Sequence, residues 1–153
     1  MENTLKESLV EALEDEYKAQ AAYRKIIEKF GEIRPFVNIV EAEGRHIQAL
    51  LPLFEKYGFD VPEDRWENRL QAPESILASC QLGVDAEIEN AEMYNRLLAN
   101  TKDYGDVQMV FKNLQRASQE NHLTAFQRCV ERGGVGGNGR GGMGKGRGLQ
   151  SAH

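Results

Sequence analysis

The chain has 153 residues, 28% charged and 41% hydrophobic, the length and composition of one globular domain with enough apolar content for a core. Its formal net charge is −5; with the three basic residues Arg140, Lys145 and Arg147 of the acid-free C-terminal tail set aside, residues 1–132 carry −8, which argues against nucleic-acid binding by the core, since that needs a basic face. No apolar run approaches the ~20 residues that span a bilayer, and Met1–Glu7 lacks the basic start and apolar core of a signal peptide, so the expected location is cytoplasmic, or extracytoplasmic if a signal peptide has been removed.

Apolar residues recur at helical spacing from Thr4 to Phe30, through Leu5, Leu9, Leu13, Tyr23, Ile26 and Phe30, and predict a first helix that stops at Gly31. Pro35 is suited to the first turn of a second helix, which carries Phe36, Ile39, Val40, Ile47, Leu50 and Phe54 to Tyr57–Gly58; Pro52 removes a backbone donor inside it and predicts a kink near Gln48. Residues 58–72 show no periodicity. Their length suits a crossover between two helical hairpins, with Trp66 covering one end of the core. Pro73 opens a third helix through Ile76, Cys80, Val84, Ala91 and Leu97 to Asn100. After a short loop, Asp106 is the expected N-cap of a fourth helix running through Phe111, Leu114 and Phe126 to Arg132. Residues 133–153 are ten parts glycine in 21 with almost no apolar side chains. Such a segment cannot offset the entropy of ordering and reads as a flexible basic tail beyond a 1–132 bundle.

Polar residues interrupt the apolar stripes in a repeated pattern. The first helix has Glu16 and, two turns on, Tyr23; the third has Glu87 and Tyr94. The second has Glu43 and His46; the fourth has Gln119 and His122. The helix pairs repeat at offsets of 71 and 76 residues, and the apolar pairs Leu13/Val84, Ile26/Leu97 and Ile47/Leu123 follow the same shifts. A carboxylate is usually found on a solvated helix face, and one left unpaired among apolar residues is costly. Three in one register, beside two of the chain's three histidines, point instead to a two-metal site: a Glu from each of two helices and Glu-x-x-His from each of the other two. Two divalent ions repel, so a bridging carboxylate must lie between them, while imidazoles and terminal carboxylates leave positions open for an oxidant.

These motifs, Glu16-x6-Tyr23, Glu43-x-x-His46 and Glu87-x6-Tyr94, together with the run Val40 to Leu51 and the exit Tyr57 to Pro62, resemble the ferritin-like superfamily, in particular the rubrerythrin-type four-helix bundles and their small relatives that lack a rubredoxin domain. The resemblance spans about residues 4–132. It implies an all-α, ferritin-like antiparallel four-helix bundle with a crossover between helices 2 and 3, holding two metal ions, iron or manganese. It further implies an oxidase- or peroxidase-like reaction with oxygen or peroxide. Glu16 and Glu87 would be terminal ligands, Glu43 a bridge, and His46 and His122 one ligand each. The chain departs from the pattern at Gln119, where a second bridging Glu is expected. Three carboxylates against two divalent ions leave a formal +1, which Glu120 could neutralise if helix 4 carries a π-bulge. Tyr23 and Tyr94 are either donors that orient the carboxylates or core aromatics. Non-catalytic metal storage or sensing, and a structural bundle with a decayed site, remain open, as does a homodimer.

The two cysteines, Cys80 and Cys129, form no Cys-x-x-Cys. Each lies two turns from a site residue, Glu87 and His122 respectively. In antiparallel helices they fall at one level, as a disulfide, a dithiol, or two small buried hydrophobes.

Overall fold

The computed structural model describes residues 2–134. The tail expected over 133–153 lies, beyond Gly134, outside them. The described residues form an all-α four-helix bundle and no strand: α1 (Glu2–Phe30), α2 (Phe36–Tyr57), α3 (Ile76–Asn100), and a fourth rod of α4 (Gly105–Arg116) and α5 (Leu123–Glu131) joined through a π-helical turn, Ala117–His122. Among the described residues no helix is long and apolar enough to cross a membrane.

The cross-links give the topology. Arg96 pairs with Glu11, Tyr94 with Glu16 and Tyr23 with Glu87, so α3 runs antiparallel to α1. Tyr57 bonds Asp106 while Glu43 faces His122, so the fourth rod runs antiparallel to α2. Helices α2 and α3 are therefore parallel, and the chain must travel the length of the bundle between them. Residues 58–75 make that crossover along α1: the Tyr17 hydroxyl donates to the Pro62 carbonyl, Trp66 Nε1 to Glu14, and Lys29 Nζ to the Pro73 carbonyl. Trp66 is half-buried, bonded to Glu14 of α1 and packed against the core layer that holds Leu5, Leu50 and Phe111.

Helix α2 keeps its expected extent, through Pro52 to Tyr57 and the Gly58 cap, but other predicted boundaries shift. Helix α3 starts after Ser75, whose hydroxyl accepts from the Ala78 N–H, and not at Pro73. Asp106 lies inside the first turn of α4 and is not its cap. The fourth rod ends in a turn in which Gly134 N–H donates to the Cys129 carbonyl. Gly134 has φ 81°, and a Cβ there would meet the backbone of Leu77 at 2.7–2.8 Å. Glycine thus allows the last described turn to close onto the start of α3, two residues past the expected end at Arg132.

The core divides into two apolar layers. One holds Leu5, Leu9, Leu13, Leu50, Phe54, Tyr94 and Phe111. The other holds Tyr23, Ile26, Phe36, Ile39, Phe126 and a disulfide between Cys80 and Cys129. Each fully buried side chain of this size contributes about 1.5–3 kcal/mol. Along every helix the polar residues of interest lie between the two layers.

Candidate metal centre

Glu16, Glu43 and Glu87 are only 1%, 2% and 2% exposed, and His46 and His122 are buried with them. Each rod contributes: Glu16 from α1, Glu43 and His46 from successive turns of α2, Glu87 from α3, and His122 from the end of the π turn. His46 Nδ1 lies 3.2 Å from Glu16 Oε1 and 3.4 Å from Glu43 Oε1. His122 Nδ1 lies 3.4 Å from Glu87 Oε1 and 3.6 Å from Glu43 Oε2. Two buried groups that could hold a metal ion result, Glu16–Glu43–His46 and Glu43–Glu87–His122, with Glu43 common to both. The two imidazoles stack with centroids 5.4 Å apart.

The Glu16 and Glu87 carboxylates are held from the opposite half of the chain. Tyr94 donates to Glu16 Oε2 at 2.6 Å and Tyr23 to Glu87 Oε2 at 2.8 Å. Both tyrosines are fully buried, so they are core aromatics and hydrogen-bond donors to site residues at once.

Gln119 and Glu120 are exposed, as is Asn121, and neither of the two expected candidates joins the cluster. The π turn that would have carried Glu120 inward does form, but it brings in Ser118. The wider π turn puts residues four apart on one face and rotates residues three apart out of line. Ser118 therefore shares the inner face with His122. Its hydroxyl donates to Asn90 Oδ1 at 2.6 Å, and Asn90 Nδ2 donates to Asp15 Oδ2 at 2.7 Å and Glu16 Oε2 at 3.4 Å. The place expected for a fourth carboxylate holds a Ser118–Asn90–Asp15 chain of hydrogen bonds. Neither Ser118 nor Asp15 stood out in the sequence. Ser118 carries a signal in its spacing: the buried positions Leu114, Ser118, His122 and Phe126 are each four apart, a run too long for an α-helical stripe.

The charges explain how the cluster is held without a cation. Burial, with the nearby Glu43 charge, raises the Glu16 carboxyl to about 7. Burial alone would lower both imidazoles, but Glu16 and Glu43 outweigh it and raise His46 to about 10, and Glu43 with Glu87 raise His122 to about 9. Glu43 is held below its usual range: burial opposes this, and hydrogen bonds from its neighbours prevail. Burial lifts Asp15 to about 6 and both tyrosines well above the usual phenol range. Protons on imidazole thus balance the carboxylates. Even so, Glu43 Oε1, Glu87 Oε1 and His122 Nδ1 have no hydrogen-bond partner, and orphaned buried atoms are costly. A donor set of carboxylate oxygen and imidazole nitrogen, with three such atoms converging, fits a divalent cation of hard to intermediate character.

Of the two glycines near the cluster, Gly83 is required by space and Gly44 is not. A Cβ on Gly83 would lie 2.6 Å from the Phe126 ring, and one on Gly44 would meet the Gln20 amide at 3.2 Å. Gly83 lets Phe126 lie against α3 beside the disulfide, where it also packs on Tyr23 at 5.3 Å.

Comparison with known proteins finds the same architecture and does not name an activity. The protein MJ0754 of Methanocaldococcus jannaschii, described as uncharacterized, is 28% identical over 140 residues, covering 82% of this chain and 74% of its own length. The crystal structure of that hypothetical protein superposes with a TM-score of 0.75 at 26% identity, over 84% of this chain and 81% of the other. Residues 6–138, a span containing most of α1, the other three rods and every residue of the Glu/His cluster, match the family described as uncharacterized protein domain DUF2202, and the chain belongs to that family.

Proposed function

We propose that this chain is a ferritin-like dinuclear carboxylate protein whose two ions, iron or manganese, react with oxygen or peroxide. The observation that carries the reading is Glu43, shared between two buried Glu/His triads. That is the placement a bridging carboxylate needs. The likeness of Glu16-x6-Tyr23, Glu43-x-x-His46 and Glu87-x6-Tyr94 to the rubrerythrin-type motifs supports it. Glu16 with His46 would hold one ion and Glu87 with His122 the other. When bound, such a pair supplies electrons to an oxidant.

The protein's own part is to bind, orient and exclude water. Glu43 keeps both sides of the centre joined. Tyr94 and Tyr23 fix one oxygen of each terminal carboxylate, leaving the other for an ion. The two apolar layers close the centre from both ends. The imidazole protons leave when a cation enters, since only the neutral ring is a ligand. Asp15, one hydrogen bond beyond Asn90, places a fourth negative charge near the centre and reduces the formal +1 left by three carboxylates.

Ser118, standing where a fourth carboxylate is expected, favours a second reading: metal binding for storage or sensing, without turnover. Anaerobic titration with Fe(II) followed by oxidant separates the two. Two ions per chain and rapid oxidation by oxygen or peroxide support the first. Tight binding that survives oxidant unchanged supports the second. No binding, with an unaltered melting temperature, removes both and leaves a structural bundle.

A further inference from the structure

The two halves of the cluster differ in how well their terminal ligands are satisfied. In the Glu16 half the ligands hold each other. His46 Nδ1 and Glu16 Oε1 are in hydrogen-bond contact at 3.2 Å, and Glu16 Oε2 accepts from both Tyr94 and Asn90. In the Glu87 half they meet only as a looser ion pair. Glu87 Oε2 accepts from Tyr23, but Glu87 Oε1 and His122 Nδ1, 3.4 Å apart, have no hydrogen-bond partner. Glu43 does not discriminate between the halves: one oxygen lies toward each imidazole, and its own unpartnered Oε1 is on the His46 side.

We propose that the centre fills in order, the Glu43–Glu87–His122 half taking the first divalent cation and the Glu43–Glu16–His46 half the second. An ion entering the first half satisfies two stranded terminal atoms and breaks no hydrogen bond between them. An ion entering the second must separate His46 from Glu16. The second ion also meets the charge of the first across the shared Glu43. With two orphaned atoms relieved in the Glu87 half against one, Glu43 Oε1, on the His46 side, the first step is tighter by about tenfold. At limiting metal the protein is therefore mononuclear, with its ion on the side of α3 and the π turn. This order rests on the dinuclear reading given above.

The test adds Zn(II), a diamagnetic probe, in steps to the metal-free full chain and follows both imidazoles by nitrogen NMR, with calorimetry in parallel. The expected result is that His122 signals move through the first equivalent and His46 signals through the second. Glu87→Gln should abolish the tight step, and Glu16→Gln should keep it and lose the weak one. If His46 moves first, if both move together, or if Glu16→Gln removes the tight step, the order is overturned. If neither imidazole moves, the metal reading itself falls. The wild-type NMR experiment decides the order even where a variant fails to fold.

Discussion

Ser118 and Gln119 are neighbours in the chain and opposites in the structure, one buried against Asn90 and one in solvent. A carboxylate added at 119 therefore gains no contact with the cluster. Gln119→Glu is expected to leave metal stoichiometry unchanged and affinity within about twofold, since an exposed charge is screened; a marked gain in a Mn(II) titration would place the π turn wrongly. Removing a ligand is a different matter. His46→Ala deletes a donor that nothing nearby replaces, and the second ion should be lost by more than ~100-fold. Tyr23→Phe only frees Glu87 Oε2 from its donor and should cost about tenfold, in line with residues that orient ligands without touching the ion. The reverse ranking, read by calorimetry, would exclude His46 as a ligand. Gly83→Ala tests packing instead of chemistry. Its Cβ would meet the Phe126 ring at 2.6 Å, so the ring must move, and overpacking of this kind costs about 1–3 kcal/mol. Chemical denaturation should show that loss.

At the scale of elements, α1, α2 and α3 were legible because their buried positions keep the 3–4 alternation of an α-helix, and the repeated Glu–Tyr pairs share its phase. The fourth rod was legible as a helix, and the Gln119 mismatch raised the π turn that forms, but not which side chain that turn brings inward. Pairing His122 with Gln119 assumes α spacing, and that assumption fails within the six residues where the turn widens. Asn90 gave no positive signal, because a hydrogen-bond chain across three helices leaves no periodic trace in any one of them. The cysteines were ambiguous for a related reason: spacing put them at one level, while whether they bond depends on the approach of α3 and α5. They are bonded, closing a loop across 49 residues between the two helices that carry Glu87 and His122. The equivalent positions in the other half are Leu9 and Leu53, both buried, so only one side of the cluster is tied covalently. Reducing the bond, or replacing both cysteines by serine, should destabilise the fold by about 2–4 kcal/mol. It should also weaken binding by the Glu87–His122 side more than by the Glu16–His46 side. Equal weakening of both would mean that the disulfide supports the bundle without positioning the site.

Over the whole molecule, proton binding and metal binding pull stability in opposite directions with pH. In the metal-free protein His46 at about 10 and His122 at about 9 sit above the ordinary 6.5. Their contribution is therefore fully present below about pH 6.5 and is lost as pH rises through 9 to 10. Glu16 at about 7 and Asp15 at about 6 are also raised, from 4.5 and 3.8. Their contribution disappears earlier on the same upward path. Glu43 is lowered and acts oppositely: its contribution is present above 4.5 and lost as pH falls. Between pH 6 and pH 9 Glu43 and Asp15 change little, and the two imidazoles, with Glu16 at the lower end of the range, make the metal-free bundle less stable, with a fall in melting temperature on the order of 5 °C. A cation needs the same imidazoles neutral and the same carboxyls ionised, so its affinity rises over that interval. The difference in melting temperature between protein in Mn(II) and protein in chelator should therefore widen steadily from pH 6 to pH 9. A metal-free melting temperature that climbed over this range would mean that the folded protein keeps His46 and His122 neutral. The carboxylates would then lie uncompensated in the core, and the balance of charge inferred for the cluster would be wrong.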